Sequence, residues 1–94
     1  MRHPSKEALE DLDEIWFYIA QDTIDAANRL KAALREAMRM LGERPGVGHF
    51  RKDLPERVVK FWPVFSYLIV YGPDKRPVQI VRVLHRALDV SGLL

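Results

Sequence analysis

Apolar residues along this chain change their spacing once, close to residue 45. Between Ala8 and Leu41 they recur at three- and four-residue steps, the period of helices with one buried face. From Arg57 to Leu84 they fall in short blocks rich in β-branched and aromatic types, as strands do. The pattern predicts two helices followed by three strands.

The first helix opens at Ser5, a good N-cap after Pro4, with Glu7 and Glu10 near the positive end of the helix dipole. Leu9, Leu12, Ile15, Trp16 and Ile19, flanked by Ala8, form its apolar stripe. Asp11, Asp13 and Glu14 fall off that stripe, onto what reads as a solvated face. Phe17 lies almost opposite the stripe, either as a lone exposed aromatic or as a partner contact. Asp22 or Thr23 caps the second helix, in which Ala27, Leu30, Leu34, Ala37, Met38 and Leu41 keep the helical period. Met38 sits within that stripe and reads as core. The connection Gln21–Asp22–Thr23 is short, so the helices should form an antiparallel hairpin. Gly42 and then Pro45–Gly46–Val47–Gly48 end it.

A basic loop from His49 to Glu56 leads into strand candidates at 57–62, 65–71 and 78–84. Tight turns are expected at Pro63–Val64 and Gly72–Pro73–Asp74. Short connections imply antiparallel neighbours, hence a meander with one face buried under the helix stripes. The expected architecture is one α+β domain over residues 1–94. It is an antiparallel helix hairpin packed on a three- to four-stranded antiparallel sheet, any fourth strand being short and N-terminal. Trp16, Ile19, Leu30, Leu34, Leu41, Ile69 and Ile80 are its expected core.

Composition narrows the chemistry. Ninety-four residues, 48% hydrophobic and 30% charged, are too few for a dinucleotide-binding fold or a barrel. The chain has no cysteine, which removes disulfides, thiolate metal sites and thiol nucleophiles. His3, His49 and His85 lack ligand-like spacing, so no metal or other cofactor is expected. No apolar run approaches the roughly 18–20 residues of a membrane span, and no signal peptide precedes the first helix. The expectation is a soluble cytoplasmic domain with no membrane partner. Residues 1–50 carry seven Lys/Arg against nine Asp/Glu, while residues 51–94 carry eight against four, so the net +2 is concentrated in the second half. That imbalance permits an anionic partner but is too modest to argue nucleic-acid binding.

The usual chemical motifs, a phosphate-binding glycine loop, His-Glu-x-x-His and Gly-x-Ser-x-Gly, do not occur, and neither Ser66 nor Ser91 has a base partner in view. What remains is the basic set Arg57, Lys60, Arg82, His85 and Arg86, on or beside the sheet. Arg57 and Arg82 interrupt apolar strands. Facing a core they would be costly, which invites a functional reading; on an uncovered sheet face they simply meet solvent. His85, at the end of the last strand, reads as a general acid or base or as a hydrogen-bonded structural histidine.

Pro4, Ala8, Asp11–Leu12, Ile15–Trp16, Tyr18–Ile19, Ala26–Ala27 and Leu34 stand in a recognisable order along the helix hairpin. Pro45, Gly48, Arg51, Leu54, Arg57, Tyr67, Ile69 and Tyr71 continue it through the loop and central strands. The run Ile80-Val81-Arg82-Val83-Leu84-His85, with Asp89 after it, closes the pattern. Together these positions resemble the RelE/ParE toxin superfamily over nearly the whole chain, and its ParE branch most closely. The resemblance implies the toxin of a bacterial type II toxin–antitoxin pair. ParE-like toxins inhibit DNA gyrase and are neutralised by ParD-like antitoxins. Such an antitoxin supplies a ribbon-helix-helix DNA-binding domain and a C-terminal segment that wraps the toxin, so no direct sequence-specific DNA binding by this chain is expected. RelE-like relatives instead cut messenger RNA on the ribosome, and fold alone does not choose.

Two departures matter. Only Met1, Arg2 and His3 precede Pro4 where the family begins with a full strand, so that strand is vestigial or the start codon is misplaced. The family's closing His-Gly-Ala-Arg-Asp reads His85-Arg86-Ala87-Leu88-Asp89. Cutting RNA needs a strongly cationic face and groups that move protons at the 2′-OH and the leaving oxygen. A net +2 is thin for that, and no Tyr or Glu follows His85. The expected function is therefore gyrase inhibition, with a RelE-like ribonuclease or a non-toxic antitoxin-binding remnant as alternatives. No catalytic residue is assigned. Arg57, Lys60, Arg82, His85 and Arg86 are candidate target contacts. Phe17, Tyr18 and Met40, beside or beyond the core stripe, are candidate antitoxin contacts. The truncated first strand is expected to leave an open sheet edge that an antitoxin strand can extend.

Overall fold

Both helices start where the side-chain chemistry places them. The Ser5 hydroxyl accepts the Ala8 N–H at 3.0 Å, and Thr23, rather than Asp22, caps the second helix by accepting the Ala26 N–H at 2.9 Å. The computed structural model describes residues 2–50 and 59–87. They form β1 (Arg2–Pro4), α1 (Lys6–Ala20), α2 (Ile24–Glu43), a 3-10 turn at Pro45–Val47, β2 (Lys60–Val64), β3 (Tyr67–Gly72) and β4 (Val78–His85). α2 continues past Gly42 to Glu43.

The sheet order is β1-β4-β3-β2. β2, β3 and β4 make the antiparallel meander, and the short N-terminal strand is present. It runs parallel to β4, with Arg2 opposite Val78 and Pro4 opposite Ile80, so the sheet is mixed rather than wholly antiparallel. The helix hairpin, β2 and β3 lie between β1 and β4 in the chain. That long crossover lets first and last strands lie side by side in one direction.

A further sequence expectation about the sheet is corrected. Pro63 and Val64 do not form the turn but continue β2, and the turn falls at Phe65–Ser66. The N–H and C=O of Phe61 face away from β3, toward His49. Pro63, two residues on, therefore also faces outward, where the ladder needs no donor. Phe65 then takes φ 53°, a left-handed conformation that favours glycine and is strained by about 1–2 kcal/mol for other residues.

Ala8, Leu12, Leu34, Met38 and Leu41 pack on Tyr67, Ile69, Tyr71, Val78, Ile80 and Val83. Of the expected core, Leu34, Leu41, Ile69 and Ile80 are fully buried, and Leu30 packs against them partly exposed. Trp16 and Ile19 are only half-buried. Leu9 is 50% exposed, because α1 is rotated so that Ala8, Asp11, Leu12 and Ile15 face inward. The opposite sheet face carries a second buried cluster of Phe61, Val70 and Leu84. Apolar side chains on both faces explain why the strands read as unbroken apolar runs rather than alternating ones.

The loop after α2 is fastened to β3 by one phenol. The Tyr71 hydroxyl donates to the Pro45 carbonyl at 2.7 Å and accepts the Gly48 N–H at 2.9 Å. Burial pushes this phenol above its ordinary pKa, so it stays protonated and keeps its donor. A Cβ on Gly48 would overlap the Tyr71 hydroxyl and lie 2.8 Å from Cε1, while one on Gly46 would meet nothing within 4 Å. Gly48→Ala should therefore destabilise by about 1–3 kcal/mol through overpacking. Gly46→Ala should change stability by less than about 0.5 kcal/mol. Urea unfolding of the two variants side by side checks this, and equal effects would refute the close approach.

Candidate functional site

The rotation of α1 places a carboxylate against β4. Asp11 accepts from Arg82 Nε at 2.7 Å, from Arg82 Nη2 at 2.9 Å and from the Val83 backbone N–H at 2.9 Å. Two turns earlier, the Ser5 hydroxyl donates to the Val81 carbonyl at 2.7 Å and the Ser5 N–H to the Ile80 carbonyl at 2.8 Å. Asp11 thus corrects the sequence reading: it is buried and paired, whereas Asp13 and Glu14 are exposed as expected. The Asp11 carboxylate holds the Arg82 guanidinium above its ordinary pKa, against the opposing effect of burial. Arg82 neither enters a core unpaired nor simply meets solvent.

This clasp also changes the edges of the sheet. β1 pairs β4 only over residues 78–80. Beyond it, the Ser5 hydroxyl takes the Val81 carbonyl, Asp11 takes the Val83 N–H, and Val83 is buried. On the far side, His49 exchanges backbone bonds of 2.9 and 2.8 Å with Phe61, and Pro63 has no N–H to offer. Among the described residues the expected open edge is therefore blunted at both places, as monomeric sheets commonly require.

Past the clasp, α1 and the end of β4 enclose a groove of about 640 Å³. Ile15, Ile19 and Val83 give it an apolar lining, and Tyr18, Tyr67 and His85 bring polar tips. Burial, and then the nearby Tyr18, push the Tyr67 phenol above its ordinary pKa, so it remains a donor. Tyr67 meets the His85 ring edge-on at 5.3 Å, and His85 Nδ1 accepts the Ala87 N–H at 3.1 Å. That bond requires Nδ1 to be unprotonated, which places a neutral ring's proton on Nε2.

The candidate target contacts do not form one cluster. Arg82 and His85 line the α1–β4 groove. Arg86 turns to the β2–β3 turn, donating through Nη1 to the Phe65 carbonyl at 3.2 Å. Lys60 lies at the other end of β2, its Nζ donating to the Gly46 carbonyl at 2.9 Å and sitting 4.8 Å over the Phe50 ring. Arg57 lies outside the described residues. The candidate antitoxin contacts also divide. Phe17 and Tyr18 are 65% and 71% exposed on α1, with Phe17 edge-on to Trp16, whose Nε1 donates to Asn28. Met40 is half-buried and lines a different groove, between α2 and β2.

Among the described residues no group of three His, Asp or Glu could hold a metal ion, and no helix is long and apolar enough to cross a membrane. The sequence profile of the ParE toxin of type II toxin–antitoxin systems, parDE, matches residues 3–90. The chain belongs to the ParE toxin family. A solved structure described as a chromosomal ParDE toxin–antitoxin system from P. aeruginosa has the same fold, with a TM-score of 0.73 at 18% identity over 89% of this chain and 92% of that one. No curated protein matches the sequence.

For a ParE toxin, the positions that carried the resemblance acquire physical roles. Asp11 and Arg82 clasp helix to strand, and Pro45, Gly48 and Tyr71 fasten loop to sheet. The sequence held one signal for the clasp: an acid adjoining the apolar stripe of one element and a base inside an apolar strand of another.

Proposed function

We propose that this ParE-family chain acts in the cytoplasm as a DNA gyrase inhibitor and is neutralised by a ParD-like antitoxin. Support comes from the use made of its cations. Arg82 is held by Asp11, Arg86 by the Phe65 carbonyl, and Lys60 by Gly46 at the other end of β2. Among the described residues, these three groups serve the fold's own contacts instead of gathering into the cationic face that ribosome-bound RNA demands. Of the proposed target contacts Arg57, Lys60, Arg82, His85 and Arg86, the shared groove puts Arg82 and His85 first. The purified chain should block gyrase-dependent supercoiling or trap cleaved DNA while leaving ribosome-bound message intact. Codon-specific cuts with supercoiling untouched would transfer the reading to a ribonuclease. Antitoxin binding with neither activity would make the chain a remnant.

The matched ParDE structure and the exposed Phe17–Tyr18 ridge support the antitoxin half of the reading. With the sheet edges blunted, that ridge is the better docking surface. Burying Phe17 contributes on the order of 1–3 kcal/mol, so Phe17→Ala should weaken antitoxin binding roughly 5- to 150-fold. Titration of the variant with antitoxin checks this, and an affinity within twofold of the parent removes Phe17 from the interface.

A further inference from the structure

Arg82 lies among more negative charge than it neutralises. Asp11 holds it directly, and Glu7 and Glu14 add their fields at greater distance. Three carboxylates thus act on one guanidinium, and among the described residues neither Glu7 nor Glu14 forms an ion pair. Glu7 sits in the first turn of α1, where the helix dipole favours an acid, but Glu14 lies beyond that turn. The residues three and four positions from Glu14 are Glu10, Asp11, Phe17 and Tyr18, so α1 offers it no cation of its own.

Glu14 also lines the α1–β4 groove of about 640 Å³. With His85 neutral, the charged lining groups are Asp11, Glu14 and Arg82, which leaves one negative charge in the groove. A cleft with an excess of one sign draws the other. Ile15 and Ile19 suit an aliphatic stem, and Tyr18 and Tyr67 set aromatic rings near its end. Arginine meets all three conditions, because its stem packs on apolar surface and its guanidinium both stacks on aromatic rings and pairs bidentately with a carboxylate. Tyr18 belongs to this lining and to the exposed Phe17–Tyr18 ridge as well, so a segment seated on the ridge lies one helical turn from Glu14. Resting on the antitoxin reading of that ridge, we propose that the antitoxin places an arginine in the α1–β4 groove against Glu14. Neutralisation then has a physical route: the segment that brings the arginine covers Arg82 and His85, the foremost target contacts, in the same groove.

Glu14→Gln is the decisive variant, because it removes the charge and keeps the shape at an exposed position, so thermal unfolding should be retained. Asp13→Asn is its control, an exposed acid turned by about 100° around α1 and outside the groove lining. In titrations with purified ParD-like antitoxin at about 0.15 M salt, Glu14→Gln should bind at least about tenfold more weakly than the parent. It should also lose less affinity than the parent as salt is raised, since the screened pair is already gone. Asp13→Asn should stay within about twofold of the parent. Equal losses in the two variants would reduce the effect to net charge and overturn the proposal. Glu14→Gln binding within about twofold of the parent would overturn it too, and the ridge reading would survive alone if Phe17→Ala still weakens binding. A parent that binds no antitoxin removes the reading and the proposal together. If Glu14→Gln spares antitoxin binding but weakens gyrase inhibition, the cation comes from the target and the antitoxin arginine is excluded.

Discussion

Leu34→Ala should lower the unfolding free energy by about 2–4 kcal/mol. Leu34 lies in the middle of α2, is 1% exposed, and belongs to the cluster formed with Met38, Leu41, Ile69 and Ile80. Sheet and helix close on it from different directions, so the truncated site cannot fully collapse and a cavity term adds to the lost transfer energy. For a chain of this length the whole stability is about 5–14 kcal/mol, which makes one such loss a large fraction. Leu9→Ala is the informative companion. The same apolar type occurs on α1, but at 50% exposure its truncation should cost no more than about 1 kcal/mol. Urea unfolding of both variants separates the two faces. A loss below about 1 kcal/mol at Leu34, or a larger one at Leu9, would mean that the helices present other sides to the sheet.

The contrast between α2 and α1 shows what a local pattern carries. In α2 the stripe from Ala27 to Leu41 contains only apolar side chains, and the buried face is the expected one. In α1 the inward face includes Asp11, which a hydrophobicity count assigns to solvent. Only Arg82 and the Val83 N–H, 71 and 72 positions further along the chain, make that face favourable. Pro63 shows the same limit, since its place in β2 depends on which side of the strand faces His49. Misplacing that turn also hid Phe65, whose backbone conformation is visible only once the hairpin closes after Val64. Of the candidate site, Arg82 and His85 were legible and share a groove. Lys60 was legible as a residue but not in its distance from them, and Met40 not in its separation from Phe17 and Tyr18. Such separations are set by strand pairing and helix packing, which residue types do not encode singly.

The Asp11–Arg82 clasp gives a prediction in which direction and rank are both testable. Asp11→Ala should destabilise by about 2–4 kcal/mol. Loss of one partner from a fully buried pair costs about 3–5 kcal/mol, but the side chains here are 26% exposed for Arg82 and 10% for Asp11, so water offsets part of it. Arg82→Ala should be milder, at about 1–3 kcal/mol, because the carboxylate it leaves still accepts the Val83 N–H. Removing Asp11, by contrast, strands both the guanidinium and that backbone donor. A double-mutant cycle in urea, which leaves ion pairs unscreened, should return a coupling of about 1–3 kcal/mol. A coupling under about 0.5 kcal/mol would reduce the contact to an ordinary surface pair and leave the rotation of α1 without its cause. The cycle also governs how gyrase assays are read. Arg82→Ala loosens α1 as well as removing a proposed target contact, so its effect on inhibition is attributable to the guanidinium only beyond what Asp11→Ala produces. If the two variants lose inhibition equally, Arg82 acts through the fold, and His85 becomes the first target contact to test.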